Sequence, residues 1–190
     1  MTVAAVVLAA GGGFRFAGPV HKLLVTVGGR ALVARAVDAA AAAGLDETVV
    51  VTGAVDLAGA GLPSGVTLVA NPCWAGGLAT SIQRALSHAR AQGHEAVVVG
   101  LGDQPSVPVS AWRAVAASAA PVAVATYGGV RGHPVRLARP VWPRLPTTGD
   151  AGARALLDGS GGPVQEVACA GAGTARPADI DTVEDLGRWT

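Results

Sequence analysis

The sequence has few of the residues that mark disulfide-rich, zinc-binding or nucleic-acid-binding proteins. Its two cysteines, Cys73 and Cys169, lie far apart and form no C-x-x-C pair, so neither a disulfide framework nor a zinc site is indicated. The 14 basic and 13 acidic residues leave a net charge of +1, and the arginines are scattered along the chain. We therefore expect no binding of nucleic acid or of an anionic membrane, and a reducing, cytoplasmic location.

Long hydrophobic runs are also missing. The apolar opening of the chain stops after about ten residues at a glycine cluster, whereas a bilayer-spanning helix needs about 20 apolar residues. No basic segment precedes this opening, so it does not match a secretory signal either. A continuous apolar run of this length is typical of a buried parallel strand. At 190 residues and 51% hydrophobic, the chain has the size of one domain, and we expect a single domain over residues 1–190.

Strand and helix patterns alternate along most of the chain, which predicts a mainly parallel sheet covered on both faces. The predicted strands cover residues 3–9, 48–52, 66–70, 96–101, 122–126 and 164–168. The predicted helices cover residues 31–43, 78–92, 110–119 and 150–157, and a last helix begins at residue 182. Residues 127–146 are rich in Gly, Pro, Arg and Trp, so we expect irregular hairpins and loops there. The result is a three-layer α/β/α, Rossmann-like fold with ligands bound beyond the carboxyl ends of the strands.

A glycine cluster follows the first predicted strand and is the most informative segment. Gly11, Gly12 and Gly13 leave backbone N–H groups free to approach an oxyanion, while Arg15 and Lys22 add positive charge. Lys22 is the only lysine of the chain, which also points to a chemical role. The segment suits a triphosphate, although a tight turn with a solvated Arg and Lys is the alternative. It is neither a Walker loop, since no Gly-Lys-Ser/Thr follows, nor a G-x-G-x-x-G dinucleotide fingerprint.

An aspartate follows another buried strand. Asp103 stands in the sequence Gly-Asp-Gln-Pro, where a carboxylate can bind Mg²⁺ and bridge to phosphate oxygens. The alternative is a turn or helix-capping role before Pro105. Because the glycine cluster and Asp103 both follow parallel strands, they are expected at the same edge of the sheet.

Taken in order, these motifs resemble the MobA-like nucleotidyltransferases, and especially their molybdenum cofactor cytidylyltransferase branch. The Leu-Ala-Ala-Gly of residues 8–11, with Arg15 and Lys22, resembles the family's loop for NTP phosphates. Residues 71–81 resemble its N-P-x-W-x-x-G-x-x-x-S segment beside the nucleotide, and residues 102–105 its metal-binding G-D-x-P turn. Residues 132–134, 149–154 and 179–186 resemble the later G-H-P, G-D-x-G-A-R and D-I-D-T-P-E-D-L motifs.

The chain departs from the family pattern at two places. Gly13 stands where many members have serine, Phe16-Ala17 replaces Met-Gly, and the spacing to Lys22 is about two residues longer. Val183 replaces a proline before the last helix. The first departure affects the loop over the phosphates, and the second only the entry to the helix.

The resemblance also implies roles for individual residues. Lys22, Arg15 and Asp103 are expected to be catalytic, and Asp103 and Asp181 to bind Mg²⁺. Asp179 is an alternative to Asp181, and capping of the last helix is a further role open to either. The nucleotide would contact Leu8, Ala9, Ala10, Gly11, Gly12, Gly13, Arg15, Lys22, Thr52, Asn71, Ser81 and Asp103. The acceptor would contact His133, Asp150 and Arg154, although a turn histidine and an Asp150–Arg154 helix pair are equally open.

The implied reaction moves CMP from CTP to a phosphorylated acceptor, most simply molybdopterin or the molybdenum cofactor, and releases pyrophosphate. Leu-Ala-Ala-Gly is closer to the cytidylyl branch than to the guanylyl branch, which usually opens Leu-Ala-Gly-Gly. GTP, or a sugar or polyol phosphate acceptor, remains an alternative within the class. Other relatives are NAD(P)H-dependent reductases or cofactor insertion factors, but no nicotinamide site is visible, and a binding module would not need two separated aspartates. A molybdenum hydroxylase is a possible client, and we expect a monomer.

Overall fold

The computed structural model describes residues 1–158, 162–169 and 176–187, and within them seven strands form one central sheet in the order β5-β4-β1-β6-β8-β7-β9. The strands of this sheet are β1 (Val3–Ala9), β4 (Glu47–Thr52), β5 (Thr67–Ala70), β6 (Ala96–Leu101), β7 (Val122–Tyr127), β8 (Val130–Ala138) and β9 (Val164–Ala168). A separate short hairpin consists of β2 (Thr26–Val27) and β3 (Arg30–Ala31). The helices are α1 (Leu32–Ala42), α2 (Leu78–Ala91), α3 (Val109–Ala116), α4 (Arg154–Leu157) and α5 (Val183–Leu186).

The central strands are apolar on both faces because helices cover both. Every residue of β1 is buried, and its successive side chains alternate between two hydrophobic clusters. Val3, Ala5 and Val7 pack with the buried faces of α1 and α3, whereas Ala4 and Val6 pack on the other face with α2. This confirms the three-layer α/β/α fold. It also explains why β1 is an unbroken apolar run rather than an alternating one.

One segment differs from the sequence-based expectation. Residues 127–146 were expected to be irregular, but Val130–Ala138 form the nine-residue strand β8, which lies between β6 and β7 and is antiparallel to both. The turn before it uses Gly128 and Gly129, both with positive φ, so part of the segment is the expected hairpin. Val135 and Leu137 are buried on the sheet, and this local alternation outweighs the surrounding Gly, Pro and Arg. Residues Arg139–Arg144 form a 3-10 helix.

The parallel connections place the ends of β1, β4 and β6 side by side. β1 is hydrogen-bonded to β4 on one side and to β6 on the other, parallel in both cases. The loops that leave these strands therefore emerge at one edge of the sheet. A membrane-spanning helix is not found in the part of the chain that the structure describes, since none of its helices combines the necessary length and hydrophobicity.

Candidate active site

A cleft with a volume of about 750 Å³ opens at the carboxyl edge of the sheet. It is lined by the end of β1, by the glycine cluster with Lys22, and by the segment that leads into α2. The sequence-predicted residues that line it are Leu8, Ala9, Ala10, Gly11, Gly12, Gly13, Arg15, Lys22, Ser81, Asp103, Asp150 and Asp181. Most of the predicted nucleotide site therefore lies around one cavity.

Three charged side chains from distant parts of the sequence meet in this cleft. The Lys22 Nζ lies 2.6 Å from Asp103 Oδ2 and 3.1 Å from Asp181 Oδ1. Arg15 Nη1 lies 3.0 Å from the other oxygen of Asp181. The Lys22 side chain is only 11% exposed, whereas that of Arg15 is 77% exposed. The lysine thus joins both carboxylates inside the cleft, and the more exposed arginine pairs with Asp181.

The glycine cluster is fixed by a histidine that the sequence analysis did not single out. His21 Nε2 lies 3.1 Å from the backbone oxygen of Gly11, and its Nδ1 accepts a hydrogen bond from the Leu23 N–H. The ring therefore carries its proton on Nε2 and connects both ends of the loop. Gly13 has a φ of 63°, and a Cβ there would lie 3.1 Å from the same ring. Burial, assisted by the nearby charge of Lys22, lowers the pKa of His21 and favours this neutral form.

The two candidate metal-binding aspartates of the last motif have different partners. Gln104 is buried, and its Nε2 donates a hydrogen bond to Asp179 Oδ1. The backbone N–H of Ile180 donates to the carbonyl of Asp103, which joins the two segments directly. Asp181 remains facing Lys22 and Arg15, and it lines the cleft. Gln104 is a second residue that the sequence analysis missed, because its partner lies 75 residues away.

Within the described residues, the side chains that cap the last helix are those of Thr182 and Asp185, not those of Asp179 or Asp181. The Thr182 side chain accepts a hydrogen bond from the Asp185 N–H, and the Asp185 carboxylate accepts one from the Thr182 N–H, which together form a capping box. The same carboxylate accepts the backbone N–H of Asp181. The Asp181 side chain is thus free of the capping role that sequence reasoning had left open.

The carboxylates have the chemistry that a hard divalent cation requires. Asp103 Oδ1 is buried and accepts no hydrogen bond within the described ranges of the chain. A buried carboxylate oxygen without a partner is unfavourable unless a cation or another ligand completes it. Mg²⁺ and similar ions are usually held by one or two carboxylates together with substrate phosphates, and Asp103 with Asp181 supplies two. The described residues contain no cluster of three or more His, Cys, Asp or Glu side chains able to hold a metal, so further ligands would come from phosphate or water.

Burial and the charge of the neighbouring groups shift the pKa values of Lys22 and Asp103 in opposite directions. Burial raises the pKa of Asp103, although the ammonium of Lys22 opposes the effect. Burial alone would lower the pKa of Lys22, but the charge of Asp103 and hydrogen bonds to both carboxylates outweigh it and raise this pKa. Lys22 is therefore a cation at neutral pH, and it neutralises part of the carboxylate charge.

Two of the predicted nucleotide contacts do not line the cleft. Asn71 is almost fully buried; its Nδ2 donates to the hydroxyl oxygens of Thr80 and Ser81, and its Oδ1 accepts the Cys73 N–H. Thr52 ends β4 and accepts the Asn71 N–H with its backbone oxygen. Direct nucleotide contact by either residue stays a prediction. In the described structure both support the segment that carries Ser81.

The predicted acceptor residues fall into two places. Asp150 lines the cleft, where its Oδ1 accepts the Leu78 N–H at 3.1 Å and so caps α2. No ion pair joins Asp150 to Arg154 in the described part of the chain. His133 and Arg154 lie off the cleft lining. Burial lowers the pKa of His133 to about 4; Asp179 opposes this shift, and Arg176 and Arg154 add to it.

Two aromatic rings meet at the rim of the cleft. The centroids of Phe14 and Trp74 are 6.1 Å apart, and Phe14 is 88% exposed. A Cβ at Gly12 would come within 2.6 Å of the Phe14 ring and 3.0 Å of the Trp74 ring. Trp74 lines the cleft and is partly buried, and its side chain also packs against one of the two hydrophobic clusters. The sequence indicated the position of Trp74, but nothing in it predicted the contact with Phe14.

An α/β sheet with a glycine-rich loop, one lysine and two carboxylates at its carboxyl edge is an arrangement suited to binding a metal–triphosphate complex. The comparisons agree, because the model of the MobA-like NTP transferase domain matches residues 5–166. The chain belongs to the MobA-like NTP transferase family, and it is an enzyme of the transferase class. No curated protein matches the sequence.

Several solved structures are similar over nearly the whole chain. Rv0371c from Mycobacterium tuberculosis H37Rv is 30% identical with a TM-score of 0.84, and the match covers 99% of this chain and 97% of that one. A structure of Rv0371c in complex with manganese is 28% identical with a TM-score of 0.80, covering 100% and 98%. Mth528, a nucleotidyl transferase from Methanothermobacter, is 27% identical with a TM-score of 0.78, covering 98% and 95%.

Proposed function

We propose that this protein transfers CMP from CTP to the terminal phosphate of a small acceptor, with molybdopterin or the molybdenum cofactor as the favoured acceptor and Mg²⁺ as the metal. The observation that carries the proposal is the meeting of Lys22, Asp103 and Asp181 beside the glycine cluster. The proposal includes a single catalytic domain over residues 1–190 and a cytoplasmic location, with a molybdenum hydroxylase as a possible client of the product.

The reaction is an in-line substitution at the α-phosphorus of the nucleotide. An acceptor phosphate oxygen forms a bond to this phosphorus, the bond to the bridging α–β oxygen breaks, and pyrophosphate leaves with the electron pair. The acceptor is already an anion, so no general base and no covalent enzyme intermediate are needed. A bound Mg²⁺ would neutralise phosphate charge and help to align the reacting groups.

The protein's own groups align the triphosphate and neutralise its charge. Lys22 and Arg15 contact the triphosphate, the amides of Gly11, Gly12 and Gly13 surround its leaving part, and Asp103 and Asp181 hold the metal. The apolar floor at Leu8, Ala9 and Ala10 lies beside the base and ribose, with Ser81 as a polar contact. His133, Asp150 and Arg154 are assigned to the acceptor side.

CTP is favoured over GTP by the Leu-Ala-Ala-Gly sequence of residues 8–11. The similar protein Rv0371c has been crystallised in complex with manganese, which supports the use of a divalent cation by this chain. The carboxylates of Asp103 and Asp181 are suited to Mg²⁺ or Mn²⁺ alike. No residue pattern in the cleft supports a nicotinamide cofactor in place of a nucleoside triphosphate.

A pyrophosphate-release assay tests the proposal. CTP, GTP, ATP and UTP are each supplied with Mg²⁺ and with molybdopterin, molybdenum cofactor, a sugar phosphate or a polyol phosphate. We expect release with CTP and a molybdopterin-type acceptor, and loss of at least about 100-fold in Asp103→Asn, the scale expected when a metal's charge stabilisation is removed. Equal release by wild type and Asp103→Asn would contradict the site. Thermal stabilisation by NADPH alone, without any NTP, would instead favour a reductase.

A further inference from the structure

Lys22 occupies the place between the two carboxylates where a divalent cation would be expected. Its Nζ contacts Asp103 at 2.6 Å and Asp181 at 3.1 Å, so one positive group already joins the two proposed metal ligands. The only carboxylate oxygen of this pair that lacks a partner within the described residues is Asp103 Oδ1. Lys22 therefore neutralises part of the negative charge of this pair of carboxylates.

A metal ion and the Lys22 ammonium compete for the negative charge of the same two carboxylates. Asp103 Oδ2 and Asp181 Oδ1 accept Lys22, and Asp181 Oδ2 pairs with Arg15, so a divalent cation that binds both carboxylates lies next to a positive side chain or has to displace one. The side chains of all three residues are largely buried, so water screens their charges only weakly. Free metal must consequently bind against the repulsion of a buried ammonium or displace that ammonium from its partners.

A triphosphate changes this balance because it offers Lys22 a different anionic partner. Gly11, Gly12 and Gly13 line the same cleft as Lys22, and a Cβ at Gly13 would lie 3.3 Å from Lys22 Cγ, so a phosphate bound by this loop lies within reach of the ammonium. Once Lys22 contacts phosphate, the carboxylate oxygens are available to the cation that accompanies the nucleotide.

We propose that Lys22 serves as an internal counter-ion that competes with free divalent metal for Asp103 and Asp181, so that the cleft selects the metal–triphosphate complex over the free ion. The inference rests on the proposed function for the identity of the nucleotide, but the competition itself concerns only the metal and three side chains. Arg15 contributes less, because its side chain is 77% exposed and its ion pair among the described residues is with Asp181 alone.

The test is a titration of free Mn²⁺, followed by electron paramagnetic resonance, with no nucleotide present. Lys22→Met removes the charge and keeps the aliphatic stem, and Lys22→Ala provides a second variant. We expect both to bind Mn²⁺ at least about tenfold more tightly than wild type, because a buried positive charge next to the ligands is gone. Lys22→Arg keeps the charge, so its Mn²⁺ affinity should stay near that of the wild-type protein.

Arg30→Ala is the matched control, since it removes a cation from the partly exposed Arg30–Asp38 ion pair outside the cleft lining. Arg30→Ala should leave the Mn²⁺ affinity at the wild-type value. The double variant Lys22→Met with Asp103→Asn should lose the tighter Mn²⁺ binding that Lys22→Met gains alone. Equal or weaker Mn²⁺ binding by folded Lys22→Met, with folding checked by circular dichroism, would overturn the inference. The outcome is independent of turnover: an inactive wild-type protein would contradict the proposed function and leave the competition intact.

Discussion

The Gln104 side chain donates a hydrogen bond to Asp179, and so assigns the two aspartates of the last motif to different tasks. Asp179 is held by a buried amide next to the Gly-Asp-Gln-Pro turn, whereas Asp181 faces Lys22 and Arg15 in the cleft. Ile180, the single residue between the two aspartates, is buried in the core, where it is 1% exposed. Asp181 is accordingly the metal ligand in our account, and Asp179 a residue that positions it.

Substitution of these two aspartates separates the roles. We expect Asp181→Asn to reduce turnover by at least about 100-fold, because it removes an anionic ligand from the metal and a partner from Lys22. Asp179→Asn should reduce turnover much less and leave Mn²⁺ affinity nearly unchanged. Steady-state kinetics with a Mn²⁺ titration of both variants measures the difference. If Asp179→Asn were the variant that lost metal binding, the assignment would have to be reversed.

Substitution of Asp150 tests whether this residue stabilises the fold or binds the acceptor. Its carboxylate caps α2 from 72 residues away, so Asp150→Ala should lower the free energy of unfolding by about 1 kcal/mol. Asp150→Asn keeps an oxygen acceptor and should lose less. Urea denaturation compares the three proteins. Wild-type stability in Asp150→Ala, together with a raised KM for the acceptor, would show that the residue acts on substrate alone.

His133 predicts a pH dependence of stability. Burial lowers its pKa to about 4 from an ordinary value of 6.5, so between these values the unfolded chain binds a proton that the folded protein does not. The free energy of unfolding should therefore fall as the pH falls from 6.5 towards 4. His133→Asn should remove roughly 1.5 kcal/mol of the loss between pH 6.5 and 5, since each pKa unit corresponds to about 1.4 kcal/mol. Identical pH profiles of unfolding for the two proteins would contradict a buried neutral His133.

Much of the fold was predictable because a continuous run of apolar residues indicates a strand that is buried on both faces. β1 and β6 are continuous apolar strands flanked by parallel partners, and both were predicted with the observed bounds. β8 was missed because its pairing depends on two strands that are distant in the sequence, whereas its own composition resembles a loop. The four-residue helix α4 begins at Arg154, later than predicted, because residues 149–150 are engaged with the start of α2.

The site was predictable where a residue type follows a strand, and unpredictable where it depends on a long-range partner. The glycine cluster and Asp103 follow β1 and β6, and the topology brings them together. The roles of His21 and Gln104 depend on hydrogen bonds whose partners no local pattern identifies. The motif around Asn71 indicated a nucleotide contact, which stays a prediction, but it did not indicate that the buried amide donates to Thr80 and Ser81.

The most direct measurement is a crystal structure of the protein with Mg²⁺ and a non-hydrolysable CTP analogue. The account predicts a triphosphate against Gly11–Gly13, one Mg²⁺ bound by Asp103 and Asp181, and the Lys22 ammonium moved from the carboxylates to a phosphate oxygen. A triphosphate bound away from this cleft, or a metal that contacts neither aspartate, would contradict it.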